Sequence, residues 1–368
     1  MDSQSQPTQS TDPIVAEVVR EASRGPVHIV IERPSRFGRF GRRLLWIVLG
    51  LSILANFSLM GMTAAYFDTG DGKVNERYHS LEKIALDKVA IISVEGAIME
   101  GDGFVKRQID RVRNDEHVKA VVLRVDSPGG TVTGSDYIHH HLQELIKDRE
   151  IPVVVSMGSM AASGGYYVAM AAGDHEKTIY AEPTTWTGSI GVIIPHYQLS
   201  ELLEKWHIVD DSIVSHPLKQ MGSPTAKMPP EIRSEERRIL KNLVDDSFDN
   251  FKRIVLASRK KLRDDKKLQE TVFTGQIFTA PQAKQQGLVD ELGFIEDAID
   301  RAIALAHLEK DSVRVVKYEA PATFMKALLE GQSRAPRFDL SAALDLAAPR
   351  AYYLCTWLPG VVISPSPR

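Results

Sequence analysis

A single cysteine, Cys355, in 368 residues excludes any disulfide within the chain. It also lacks the glycine-rich, histidine-paired surroundings that a cysteine nucleophile requires. Charge of one sign is equally scarce. Lysine and arginine number 45 against 48 acids, a formal net charge of −3. No basic stripe and no known nucleic-acid module is present, so nucleic-acid binding is not expected. No internal repeat is visible. His139-His140-His141 is the one dense group of metal-type ligands, but consecutive helical residues point in different directions, so three adjacent rings are not expected to converge. Neither a metal nor a cofactor is expected. What remains is a composition ordinary for one α/β domain with an anchor and tails.

The longest apolar run is uncharged from Leu44 to Phe67, enough to cross a hydrocarbon core of about 30 Å. It starts too late, and is too long, for the apolar region of a cleaved signal peptide. Arg33, Arg36, Arg39, Arg42 and Arg43 crowd its N-terminal side, whereas Asp68 and Asp71 follow it. The positive-inside rule then predicts a single-pass protein of a cell inner or plasma membrane, with a cytoplasmic N-terminus and everything after Phe67 on the far side. The expected organisation is a partly disordered cytoplasmic segment (1–43), a transmembrane anchor (44–67), a linker (68–87), a catalytic domain (88–318) and a C-terminal tail (319–368). Val27–Ile31 reads as a short strand or a docking segment, and the sequence does not choose between them.

From Lys88 onward, strand and helix patterns alternate, which predicts crossover units and a largely parallel sheet. Val89–Val94, Val118–Val125 and Ile151–Met157 read as buried strands; Phe104–Asn114 and Ser135–Lys147 read as helices. Glu231–Lys261 is a long amphipathic segment with Ile239, Leu243, Phe248, Phe251 and Val255 as its apolar stripe. Thr279, Pro281 and Gly287 carry the start and stop signals of a short structural helix.

The chemistry concentrates in three places. Val118–Val125 ends in Asp126-Ser127-Pro128-Gly129-Gly130, a sharp turn with exposed amides at a strand's C-terminal end, where open α/β sheets bind ligands. The strand Ile151–Met157 leads into Met160-Ala161-Ala162-Ser163-Gly164-Gly165-Tyr166-Tyr167, a serine among small residues at a helix start. Lys219 lies in a stretch without acidic residues from Ser212 to Pro230. A serine hydroxyl needs a base to become a nucleophile, and a lysine serves as that base only when desolvated and away from carboxylates. The Gly164 amide, one step past the serine, is where acyl-transfer sites place an oxyanion donor. His216, with Asp210 and Asp211 nearby, is a rival base, weakened by the adjoining Pro217.

These stretches, with Thr187-Gly188-Ser189-Ile190-Gly191-Val192 and Leu218-Lys219-Gln220-Met221-Gly222-Ser223-Pro224, resemble the signal peptide peptidase A family from about Lys88 to about Ala306. The resemblance implies a membrane-bound serine protease on the layered fold shared by Clp protease and crotonase. It implies Ser163 as nucleophile, Lys219 as general base, Ser189 orienting the lysine, and the Gly130 and Gly164 amides as the oxyanion hole. It further implies membrane-derived hydrophobic peptides, such as remnant signal peptides, as substrates. In relatives the lysine reaches a serine of a neighbouring subunit or of a fused second copy, so this repeat-free chain is expected to form a homo-oligomer. Two other classes stay open: a membrane scaffold of the same fold, and a crotonase-like enzyme acting on acyl-coenzyme A. The tail from Pro349 to Trp357 gathers Tyr352, Tyr353, Leu354, Cys355 and Trp357, and such a cluster is expected to dock onto something; the resemblance implies a C-terminal segment that packs on a neighbouring protomer or approaches its substrate groove.

Overall fold

The computed structural model describes residues 36–67, 74–320 and 352–354, and the chain divides into two units, Met1–Asp71 and Gly72–Arg368. In the first, helix α1 (Arg36–Phe67) runs for 32 residues. Its side chains are described without a break from Arg43 to Ser58, and Leu45, Trp46, Leu54 and Phe57 are exposed. Helix α1 covers the run expected to be an anchor. Among the described residues, which exclude its side chains after Ser58, no helix is long and apolar enough to cross a membrane. The segment Val27–Ile31, Cys355 and Trp357 lie outside the described residues.

The second unit is built on strands β1 (Asn75–Leu81), β2 (Asp87–Glu95), β3 (Val118–Ser127), β4 (Gly129–Thr131), β5 (Val153–Ala162), β6 (Ile179–Ala181), β7 (Trp186–Gly188), β8 (Ile277–Thr279), β9 (Glu291–Leu292), β10 (Val313–Glu319) and β11 (Tyr352–Leu354). Nine of them form one sheet in the order β1-β10-β2-β3-β5-β6-β9, with β7 on β5 and β8 on β7. Only β1 with β10 and β7 with β8 pair antiparallel in it. The sheet is largely parallel, and the fold is α/β. Strand β1 lies within the segment 68–87 read from sequence as a linker. Its polar residues, NERYHSL, suit a half-exposed edge, so the folded unit opens about a dozen residues before Lys88.

Parallel strands covered on both faces are apolar at nearly every position. Side chains alternate, so Ala90, Ile92, Val121, Leu123, Val153 and Val155 enter one core, while Val89, Ile91, Ala120, Val122 and Val154 enter another. The first core receives α2 (Phe104–Arg113), α3 (Val132–Arg149), α4 (Gly164–Ala169) and α6 (Pro230–Ser258); α5 (Ser200–Lys205) precedes α6 in the chain. After α6 come α7 (Lys260–Asp264), α8 (Lys266–Val272), α9 (Ala280–Gln286) and α10 (Ile295–Leu305). Helix α10 covers the second core with Ala298, Ile299, Ala302 and Ile303.

Several boundaries differ from expectation for local reasons. Helix α3 begins at Val132, not Ser135, because the Thr131 hydroxyl accepts from the Gly134 amide at 3.0 Å and caps the helix. Helix α6 stops at Ser258 because Arg259 turns inward to the Gly287 carbonyl at 2.9 Å and the Asp290 carboxylate at 2.6 Å. Of its expected stripe, Phe251 and Val255 are buried, Ile239 and Phe248 half-buried, and Leu243 is 47% exposed. Helix α9 opens on a Thr279–Gln282 capping box and closes on left-handed Gly287, as its sequence signals indicate.

The three rings of the histidine run do not converge on one point, as expected. His139 turns inward, but His140 and His141 both reach Glu144 one turn on, at 3.4 Å and 2.9 Å. Two adjacent rings therefore do converge on one carboxylate, although Arg113 also approaches that carboxylate at 3.6 Å. His139 packs edge-on against Tyr167, and burial pushes its pKa down to about 4. The unfolded chain then binds the extra proton between about pH 6.5 and about pH 4, so stability rises with pH across that window. Urea unfolding should show wild type losing up to about 3 kcal/mol on acidification through it, and His139→Phe losing distinctly less.

Candidate active site

Strand β3 ends at Ser127, whose hydroxyl donates to the Gly96 carbonyl at 2.6 Å and accepts from the Gly129 amide at 3.1 Å. This clamp, with Pro128, sets up the tight turn into β4. Ile98 donates to the Gly129 carbonyl at 2.9 Å, and Thr131 donates to the Ile98 carbonyl at 2.8 Å. Gly130 between them must turn its own amide and carbonyl to the opposite edge. Tyr353 of β11 stands opposite Gly130 there, antiparallel.

Strand β5 reaches Ala162, beyond the expected end at Met157, because its last residues find a new partner. Met160, Ala161 and Ala162 pair in parallel with Trp186, Thr187 and Gly188 of β7. The Asp126 carboxylate bridges the gap opened between β3 and β5, accepting from the Ser159 hydroxyl at 2.6 Å and the Met160 amide at 3.1 Å. The Ser163 amide then donates to the Gly188 carbonyl at 2.8 Å, and helix α4 starts at the next residue.

At this elbow Ser163 has φ 54°, a conformation costly for any residue with a side chain. Its hydroxyl is buried, 1% exposed, and has no hydrogen-bond partner among the described residues. Ser189 follows Gly188 as Ser163 follows Ala162, so the two serines end neighbouring strands; Ser189 also has a positive φ, 51°. A methyl on Gly129, itself at φ +98°, would come 2.1 Å from the Tyr353 carbonyl oxygen and 2.6 Å from the Gly164 amide nitrogen. A methyl on Gly164 would meet the Ser135 hydroxyl at 2.3 Å and the Gly130 amide at 3.1 Å. Ser163, Ser189, Gly130 and Gly164 are thus brought together.

Lys219 is not brought to them within one chain. It sits exposed on a short 3-10 turn, Pro217–Gln220, and Ser163 Oγ has no partner within reach. His216 caps that turn, its Nδ1 accepting from the Leu218 amide at 3.2 Å. The turn is anchored from α6: buried Glu236 accepts from the Gly222 amide at 2.6 Å. Sequence reading missed Glu236, which is one acid among many along a charged helix.

Residues 146–309 match the sequence profile of peptidase family S49. A protein of Synechocystis sp. assigned as a protease is 38% identical over 247 residues, 67% of this chain and 84% of that protein. The chain belongs to peptidase family S49. A second S49 relative, from Enterococcus faecium and assigned as a signal peptide peptidase SppA, is 34% identical over 67% of this chain and 71% of its own length. Among solved structures, a 1510-N membrane-bound stomatin-specific protease in complex with a substrate peptide covers 67% of this chain and 98% of that one, at 19% identity and a TM-score of 0.39. The S49 protein is accordingly a serine protease.

Glu236→Ala should free the Lys219 turn and lower kcat/KM by about tenfold or more, since a buried hydrogen bond to a charged group is lost. Glu236→Gln, which keeps an acceptor, should stay within about threefold of wild type in the same peptide assay.

Proposed function

We propose that the protein is a membrane-anchored serine endopeptidase that cleaves hydrophobic peptides, remnant signal peptides among them, through a Ser163–Lys219 dyad and an acyl-enzyme. The observation that carries this reading is Ser163. A buried, partnerless hydroxyl held at a strained strand-to-helix elbow, beside two glycine amides, suits nucleophilic attack far better than structural support. Neutral Lys219 takes the hydroxyl proton as Ser163 attacks, the Gly130 and Gly164 amides hold the developing oxyanion, and the lysine returns the proton to the leaving amine. Water then repeats the cycle on the ester. Ser189, in register beside Ser163, orients the amine.

The base comes from a neighbouring copy in a homo-oligomer. Two features of one segment support this. Lys219 is exposed, and the stretch leading to it exposes Ile193, Tyr197, Leu202, Trp206, Ile208, Val209 and Ile213. So much contiguous apolar sequence in water favours burial against another protomer. Residues 44–67 anchor the enzyme, the arginines before them keep the N-terminus cytoplasmic, and the protease unit lies outside the cytoplasm. Such a tether brings the enzyme to peptides left in the bilayer, in line with the relative assigned as a signal peptide peptidase.

Ser163→Ala and Lys219→Ala should each abolish peptide hydrolysis while assembly, read by light scattering, persists. Mixing the two inactive chains should restore activity if the lysine crosses between protomers; no recovery places the base in the same chain. With chemistry limiting, the wild-type rate should climb from about pH 6 to about pH 9, and a flat profile would argue against a lysine base.

A further inference from the structure

Three rings in a row on a helix do not meet, but two rings and a carboxylate one turn away do. A helix turns by about 100° per residue, so on α3 Glu144 lies between His140 and His141, about 40° from one and about 60° from the other. Side chains tilt toward the N-terminus of their helix, and the Glu144 carboxylate therefore reaches back over the gap between the two rings. Each ring takes its own oxygen: His141 Nδ1 lies 2.9 Å from Oε2 and His140 Nε2 lies 3.4 Å from Oε1. One donor atom from each of the three residues falls within 4.8 Å of the other two. His139 points inward against Tyr167 and takes no part.

Two imidazole nitrogens and one carboxylate oxygen are a donor set typical of zinc. Tetrahedral zinc, with bonds of about 2.0–2.1 Å, holds its ligand atoms about 3.4 Å apart. Both ring-to-carboxylate distances are at or just inside that spacing. The two rings have different freedom. The His141 side chain is 16% exposed and packs edge-on against the Tyr137 ring at 4.4 Å, which fixes it beside the carboxylate. The His140 side chain is 62% exposed, and its rotation brings the third donor into place. Mg2+ and Ca2+ take oxygen ligands and do not match this set.

A cation entering here meets one competitor. Arg113, at the end of α2, stands 3.6 Å from the Glu144 carboxylate and 3.6 Å from that of Asp148, and donates to the His141 carbonyl at 3.5 Å. Its Nε has no hydrogen-bond partner among the described residues. The arginine holds Glu144 loosely, and Asp148 retains it when Glu144 turns to a metal.

We propose that His140, His141 and Glu144 form a surface site for Zn2+. The ion takes the lone pairs of His141 Nδ1 and His140 Nε2, each ring carrying its N–H on the other nitrogen, and one Glu144 oxygen. Water fills the fourth position that three protein ligands leave open. The site clips two successive turns of α3 together and stabilises the folded chain by mass action. It uses no residue of the candidate active site and stands apart from the hydrolytic reading.

The test is calorimetric titration of the full-length chain, without added histidines, with zinc chloride. Expected is one bound equivalent, weakened at least tenfold in His140→Ala and in Glu144→Gln and retained in His139→Phe, since even the outer partners of zinc ligands are worth about tenfold or more. His140 and Glu144 are exposed, so their variants should fold as wild type, checked by circular dichroism. With free Zn2+ at about a hundred times its Kd, the wild-type Tm should rise by about 5 °C or more, and that of Glu144→Gln distinctly less. Cobalt in place of zinc should give the visible absorption of a four-coordinate ion in wild type and not in Glu144→Gln. No bound equivalent, equal binding by wild type and both variants, or displacement of the zinc by excess Mg2+ overturns the proposal.

Discussion

The site depends on the parallel pairing of the last residues of β5 with β7. That three-residue ladder carries β5 five residues past the point where it leaves β6, and the Gly188 carbonyl takes the Ser163 amide at its end. A serine at φ 54° persists only where its surroundings over-determine it. Here the strand behind it, the buried helix α4 ahead of it and the Gly188 bond beside it leave no freedom to relax. Small residues follow from the same constraint: Gly164 and Gly165 lie against Ser135 and Ser127, with no room for a side chain on either.

The main sheet and both of its cores were legible in the sequence because they arise from short-range pattern. Doubly buried parallel strands need runs such as Ala120-Val121-Val122-Leu123, and capping signals such as Thr279 and Gly287 act within one helical turn. Ser163 and the Gly129-Gly130 turn were legible for the same reason, since a strained elbow and a tight turn select recognisable residue types. What stayed hidden depends on long-range contact. Strand β1 is polar enough to pass for a linker, and only its pairing with β10, more than 230 residues away, makes it structure. Glu236 and Tyr353 acquire their roles from partners at Gly222 and at Gly130, which no local pattern connects to them. The clustered tail aromatics signalled docking and the resemblance pointed to a neighbouring protomer or its substrate groove, whereas the pairing of β11 with β4 of the same chain comes from long-range contact.

The separation of exposed Lys219 from buried Ser163 has a physical logic. A serine can be buried and strained within a single fold, because the sheet holds it. A lysine amine kept dry is harder to bury, since the isolated charge it would otherwise carry is expensive in a protein interior. Leaving the Lys219 amine on an exposed turn spares the folded chain that cost.

Helix α6 joins two distant parts of the protease unit. Near its start Glu236 holds the Gly222 amide of the turn that carries Lys219, and about 16 Å further along, Ser247, Asn250 and Phe251 pack around the Tyr167 and Tyr353 rings. A helix of 29 residues is a stiff lever over that distance. The Tyr353 ring packed there and the turn that carries Lys219 are therefore held by one continuous element, and neither contact stands apart from the folding of that helix.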